Sequence, residues 1–456
     1  MAAVTGAAAP AGGLTRAELA RKVVHMGVGL IAFSLRWLGP AWGALCALAA
    51  VVFNVAILPR LGGRRLFRSA EVAAGRSLGI VLYPVAVLLL ILVFYRRLEV
   101  AAAVWGILAF GDGMASVVGM AVGHRKLPWN PGKSWLGSAA YAVFGAAGAW
   151  SLLMWTAPGR YQAGFALAVA AAAALLAAAL ESLPQGLDDN LGVPLVTGLF
   201  LLCLVWTEGG WGVVATGGFL FALGVGAAVN GVLAVAGHAA RTVSPSGAVA
   251  GFVLGTLLWA FGGWRAYLLL IAFFVLGSGA TRLGYRRKAE ASLAQEEGGR
   301  RGARHALANT GVAVAAGVFA LTTPYGLLFA VALAGALATA AADTVSSEVG
   351  QLWGRRTFLI TTLRPVPRGT QGAVSLEGTV AGVAASAILG GLGAWLGLFP
   401  PAGIALVVVA AFAGTTLESV LGATVERRGL LDNEAMNFLN TLVGAVLAAA
   451  MVPLVA

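Results

Sequence analysis

Gly111 to Lys126 reads GDGMASVVGMAVGHRK, and Ala342 to Thr357 reads ADTVSSEVGQLWGRRT. Asp112 and Asp343 align, and each is followed by Ser at +4, Gly at +7 and Gly at +11. Three further pieces follow in one order. KSWLGS (Lys133 to Ser138) parallels VSLEGT (Val374 to Thr379), and Leu180-Glu181-Ser182 parallels Leu417-Glu418-Ser419. A Leu-Asp-(Asp)-Asn turn closes each set, Leu187 to Asn190 and Leu431 to Asn433. Chance could give one such match; four in series mark an internal duplication.

The sequence around these pieces is apolar nearly end to end. Of 456 residues, 59% are apolar and only 11% are charged, with a mean hydropathy of +0.88; a soluble chain carries roughly a quarter charged residues. A spanning helix needs about 20 apolar residues. Fifteen such spans are expected, centred near residues 31, 50, 86, 110, 146, 172, 199, 223, 253, 273, 314, 337, 385, 413 and 446. With the N-terminus cytoplasmic, 25 of the 30 basic residues fall on the cytoplasmic side, leaving Arg36, Arg96, Arg97, Arg160 and Arg265 outside. The opening residues are small, and the first apolar run follows Arg21-Lys22 and continues into further spans, so no cleavable signal is expected. Spans four to seven correspond to spans twelve to fifteen, an even displacement that makes the repeats parallel. The expected fold is therefore all-α: a polytopic integral membrane protein of about fifteen transmembrane helices in a 7+1+7 plan. Its halves are residues 1–210 and 211–456, and its expected home is the cell (inner) membrane.

The net charge of +12 follows from this topology, so no nucleic-acid partner is expected. Cys46 and Cys203 lie in apolar runs and suggest neither a disulfide nor a metal site.

Ten of the 18 acidic residues lie in or beside the repeated pieces: Asp112, Glu181, Asp188, Asp189, Asp343, Glu348, Glu377, Glu418, Asp432 and Glu434. A carboxylate deep in a span costs about 2.5–3.5 kcal/mol on insertion scales, which argues for a partner or a task. Each set has basic residues within reach. Arg125, Lys126 and Lys133 serve the first half; Arg355, Arg356, Arg364 and Arg368 serve the second. Structural ion pairs would explain any one carboxylate. Two ordered sets beside Gly-rich turns suit phosphoryl transfer, with carboxylates holding Mg²⁺, basic side chains on phosphate oxygens, and glycines admitting them to backbone N–H groups. Gly111-Asp112-Gly113 is expected to break its helix for that purpose. Gly132-Lys133-Ser134 looks like the end of a P-loop, but Leu127 stands where that loop needs glycine.

These residues carry a resemblance. The first half resembles the membrane-embedded phytol kinase and dolichol kinase family through Arg21-Lys22-x-x-His25-x-x-x-Gly29, Gly111-Asp112-Gly113-x-Ala115, Gly119, Gly123, Lys126-x-Pro128 and Lys133-Ser134-x-x-Gly137-Ser138. The second half resembles phytyl phosphate kinases and their relatives. Its signature runs from Asp343 through Ser346, Ser347 and Glu348 to Gly350, then Pro367-Arg368-Gly369-Thr370-Gln371-Gly372 and Ser375-Leu376-Glu377-Gly378-Thr379. Gly299-Arg300-Arg301, Ala308-Asn309, Glu418-Ser419 and Asp432-Asn433 complete it.

The resemblance implies CTP-using, Mg²⁺-dependent kinases, with ATP or UTP as alternative donors. A prenyl alcohol would become the monophosphate in the first half and the diphosphate in the second. Asp112, Glu181, Asp343 and Glu418 are then the expected catalytic residues. Asp112, Asp189, Asp343, Glu348, Glu377 and Asp432 are the expected metal ligands. Nucleotide and phosphate would meet Arg21, Lys22, His25, Lys126, Lys133, Ser134, Arg300, Arg301, Asn309, Ser346, Ser347, Arg356, Arg368, Gly369 and Ser375, with Arg304 closing beside Arg300 and Arg301. One position departs from the pattern: Leu136 stands where many first-half relatives carry Glu, while the second half keeps Glu377. A cytidylyltransferase acting on a lipid phosphate shares the first-half pieces but lacks its usual acidic C-terminal signature here. A secondary transporter would share repeats and buried carboxylates. Monomer and homodimer both remain open.

Overall fold

The computed structural model describes residues 16–58, 60, 78–184, 189–240, 242–290, 302–428 and 431–454. Helices make up nearly all of it, in two compact units, Met1–Glu208 and Gly209–Ala456. Eleven segments among the described residues are long and apolar enough to cross a membrane, and two shorter apolar helices, Gly79–Val93 and Asn190–Val205, accompany them. Two of the eleven, Glu18–Ile57 and Pro245–Arg282, are each broken into two limbs at a glycine. Gly39 has φ 67° and ψ 177°, and Gly263 has φ 74° and ψ 174°; a side chain at either would clash with its own backbone. Taken limb by limb, with the two shorter helices, the apolar segments fall on all fifteen expected positions.

In the first unit α1 is Arg16–Gly29, α2 Leu35–Val52, α3 Leu78–Val93 and α4 Leu98–Gly106. The widened turn Ile107–Gly111 joins α4 to α5, Asp112–Ala121. Then come α6 Trp135–Thr156, α7 Ala163–Ser182 and α8 Asp189–Val205. The second unit holds α9 Gly217–Ala239, α10 Pro245–Arg282, α11 Tyr285–Glu290, α12 Ala303–Thr322 and α13 Gly326–Trp353. It continues with strands β1 Thr357–Leu359 and β2 Ala373–Ser375, then α14 Leu376–Trp395, α15 Gly403–Thr424 and α16 Asn433–Met451.

Each unit is assembled round one helix that is apolar on every side, the pattern that forces a helix inside its neighbours. In the first unit every residue from Val100 to Ala109 is buried. In the second every residue from Val331 to Ala342 is buried, and α13 packs against α10, α12, α14, α15 and α16. The repeated aspartates stand where these central helices leave the core, Asp343 directly after Ala342 and Asp112 after the buried Gly111. Outward surfaces carry large apolar side chains such as Trp37, Phe221, Val235 and Trp395, as contact with lipid requires.

The helix break expected at Gly111-Asp112-Gly113 does not occur. Leu98–Ala121 is one continuous segment that widens by a π-type turn just before Asp112. The glycines serve packing instead. A Cβ at Gly113 would stand 2.5 Å from Met26 Cγ, and one at Gly111 would stand 3.0 Å from the Tyr141 ring. The α13 helix passes Asp343 with no such turn.

Candidate functional site

The repeat has the same atomic skeleton in both units. Ser134 opens α6 and its hydroxyl accepts from Gly137 N at 3.1 Å; Ser375 opens α14 and accepts from Gly378 N at 3.1 Å. The backbone at each serine pairs antiparallel with the segment that follows the aspartate helix, Lys126 with Ser134 and Thr357 with Ser375. Gly123 and Gly354 lie so close to these serines that a Cβ would stand 2.3 Å from Ser134 Oγ and 3.0 Å from Ser375 Oγ. Ser134 and Ser375, expected on phosphate, are thus buried helix caps.

In the first unit the charges are paired. Lys22 Nζ donates to Asp112 Oδ2 at 2.7 Å. His25 Nε2 lies 3.2 Å from the Leu108 carbonyl oxygen and 3.5 Å from Asp112 Oδ2. Its ring leans on Tyr83 at 4.5 Å, and Tyr83 in turn accepts from Trp105 Nε1. Lys133 pairs with the buried Glu181. Lys22, His25, Asp112, Lys133 and Glu181, all named by the sequence, are partnered here. Arg21 is half-buried and Lys126 exposed. Asp189 begins α8, its side chain outside the described residues.

In the second unit a cavity of about 990 Å³ opens among α12 to α16 and the β1–β2 connector. Among the described residues, Asp343, Glu348, Glu418, Glu426 and Glu434 line it, against one arginine, Arg304. The carboxyls of Asp343 and Glu418 are hydrogen-bond neighbours, and Asn440 Nδ2 donates to Glu418 Oε2. Neither carboxyl has an ion-pair partner among the described residues. The arginines expected to reach them do not. Arg355, Arg356, Arg364 and Arg368 are exposed, Arg355 N donates to Glu377, and Arg368 NH1 donates to Leu352 O.

Ser346, Ser347 and Gly369 line the cavity with Asp343. Glu377 and Asp432, expected as metal ligands, do not line it. Glu377 binds the Arg355 amide at the start of α14. Asp432 caps α16 through Ala435 N and pairs with Arg304 at 2.5 Å. Asn309 is buried and donates to His305 O. Arg300 and Arg301 lie outside the described residues. Glu426 and Asn440 were missed, although Glu426 follows Glu418 by eight residues, just over two helical turns.

No group of three or more His, Cys, Asp or Glu poised for a metal occurs among the described residues. Mg²⁺ commonly takes only one or two carboxylates and fills its remaining positions with water and phosphate oxygens. The opposed, cation-free carboxyls of Asp343 and Glu418 fit that mode.

Fold and site together define an integral membrane protein with a carboxylate-lined cavity in its second unit. Residues 228–445 match the family described as integral membrane protein DUF92, and the chain belongs to that family. It is 43% identical over 214 residues to an uncharacterized membrane protein of Synechocystis, covering 46% of this chain and 82% of that one. It is 36% identical over 216 residues to protein VTE6, chloroplastic, of Arabidopsis thaliana, covering 46% of this chain and 65% of the relative. Phytol kinase 1, chloroplastic, of the same plant is 29% identical over 201 residues, covering 40% of this chain and 64% of the relative. No solved structure matches the chain.

Proposed function

We propose that this chain is a two-step kinase for long-chain isoprenoid alcohols, with both sites facing the cytoplasm from the inner membrane. Residues 1–210 would convert the alcohol to its monophosphate, and residues 211–456 would extend that to the diphosphate, with CTP, ATP or UTP as donor. The observation that carries the reading is the cavity of about 990 Å³ holding Asp343 and Glu418 face to face. It lies in the unit that the family model matches, and the chain is similar to phytol kinases.

The two acceptors differ in chemistry, and the two sites differ in the matching way. An alcohol must lose its proton as its oxygen attacks the γ-phosphorus, while the bond from that phosphorus to the bridging oxygen breaks and the nucleoside diphosphate leaves. Asp112, held by Lys22 and next to His25, offers the acceptor for that proton. Lys22 and Lys133 then oppose the charge on the transferred group. A phosphate acceptor is already ionised at neutral pH and needs no base. It needs its repulsion from the donor overcome, and Asp343 and Glu418 would hold the Mg²⁺ that supplies this neutralisation. Ser346, Ser347 and the left-handed Gly369 lie round the same space to bind and orient phosphate oxygens.

The test is a product assay on the purified protein with Mg²⁺ and γ-labelled CTP, ATP or UTP. Phytol, geranylgeraniol and farnesol are supplied, each as alcohol and as monophosphate. Label passing into monophosphate and then diphosphate is expected. Conversion of the monophosphates alone would remove the first unit from the proposal. CMP on the lipid would make the chain a cytidylyltransferase, and unlabelled lipid with every donor would end the kinase reading.

A further inference from the structure

The second-unit cavity reaches well beyond its carboxylates. Its wall includes Val383 on α14 and Phe412 on α15. On α14 the residues exposed at helical spacing are Leu376, Val380 and Val383, and on α15 they include Val409 and Phe412. Leu376, Val380 and Val409 are outside the cavity, so their exposure marks the outward face of each helix. Val383 and Phe412 share those outward stripes and still bound the cavity, so the polar space comes out between α14 and α15 on the apolar side of the unit. Phe412 precedes Glu418 by six residues, about 9 Å along the helix. The facing α14 surface is cut back by Gly382 and Ser386, which also line the cavity.

Such a passage has a carboxylate end and an apolar mouth. We infer that the gap between α14 and α15 is a lateral portal that holds the isoprenoid tail of the acceptor while its phosphate stands at Asp343 and Glu418. The acceptor class this selects is an amphiphile with one long apolar chain and an anionic head. The inference rests on the kinase reading of the second unit, and the tail contacts are testable apart from it.

The full-length protein in phosphatidylcholine vesicles is irradiated with geranylgeranyl monophosphate carrying a diazirine in its first isoprene units. Crosslinks within residues 379–386 and 409–416, competed by unlabelled geranylgeranyl monophosphate, are expected whether or not phosphate is transferred. Crosslinks elsewhere, or none that compete, overturn the portal. In turnover, Val383→Trp is expected to raise KM for geranylgeranyl monophosphate about tenfold, equivalent to roughly 1.4 kcal/mol. It should leave use of the short, soluble dimethylallyl monophosphate unchanged. Equal loss with both acceptors would also overturn the portal. If the wild-type protein phosphorylates no acceptor, the kinase reading falls, and the crosslinks still decide whether the portal holds an isoprenoid.

Discussion

The two units place an aspartate and a glutamate at matching points of one helical skeleton and treat them in opposite ways. In the first, Lys22 holds Asp112 and Lys133 holds Glu181. In the second, Asp343 and Glu418 face each other beside a large cavity, with three more carboxylates and one arginine on its wall. The carboxyls of the first site are held by lysines, whereas those of the second hydrogen-bond each other and have no ion-pair partner among the described residues. On the proposed function, that difference is what would suit one copy to a neutral acceptor and the other to a charged one.

The largest expected effect tests that division. Asp343→Asn and Glu418→Gln should each lower diphosphate formation on the order of 10²–10³-fold, the usual worth of one preorganised electrostatic contact. Monophosphate formation should persist, so monophosphate accumulates in the product assay. Asp112→Asn should do the reverse, stopping use of the alcohol while a supplied monophosphate is still converted. Equal loss of both steps in either variant would merge the two sites into one.

Next in size is the ion pair that only the first unit possesses. Lys133→Met strands the buried Glu181 and should cost about 2–3 kcal/mol, below the range for a fully buried pair because Lys133 is 31% exposed. Lys133→Met with Glu181→Leu should recover most of it. Thermal unfolding in detergent would read both, and an unaltered midpoint for the single variant would show the pair to be dispensable.

The serine caps are the shared element and should behave alike. Ser134→Ala and Ser375→Ala should each lose about 1 kcal/mol of stability, measured the same way. A much larger loss of turnover in one than in the other would assign that serine to phosphate as well as to its cap.

The smallest effect is one of pH. Burial pushes the Glu426 carboxyl up, the Gln371 hydrogen bond opposes this, and the charge of Asp432 adds to it. The folded state therefore holds this proton longer than the unfolded chain, and stability falls as pH rises through the window above the ordinary carboxyl value of 4.5. Glu426→Gln should match the wild type at about pH 4 and unfold at a higher temperature by about pH 8. A gap that stays constant with pH would remove Glu426 from the charged wall.

Much of this arrangement is legible in the sequence, because repetition fixes spacing. The offset from Asp112 to Asp343 also carries Gly119 onto Gly350 and Gly123 onto Gly354, and the packing of both pairs against a capping serine explains why those spacings stay fixed. The fifteen apolar segments are legible for the same physical reason that buried helices are hydrophobic all round. What escaped was the direction of side chains. Asp432 stands directly before a helix, the site of an N-cap, yet the resemblance carried by Asp432-Asn433 drew it into the metal set. The arginines of the second connector resemble phosphate ligands in sequence, but a connector of that length lets them face away from the carboxylates. Asn440 gave no signal, being one polar residue in an apolar run, until α16 placed it on Glu418.

The connectors themselves carry a last consequence. The paired ends are the same in both units, but Lys126 to Ser134 spans nine residues and Thr357 to Ser375 spans nineteen. Roughly doubling a loop between fixed ends adds only about 0.6 kcal/mol of closure entropy. The segment from Gly369 to Ser375, which walls the cavity, could thus have been acquired by one copy after duplication at almost no thermodynamic penalty. A change of length alone is then enough to give the two sites different walls, without any selection on individual side chains.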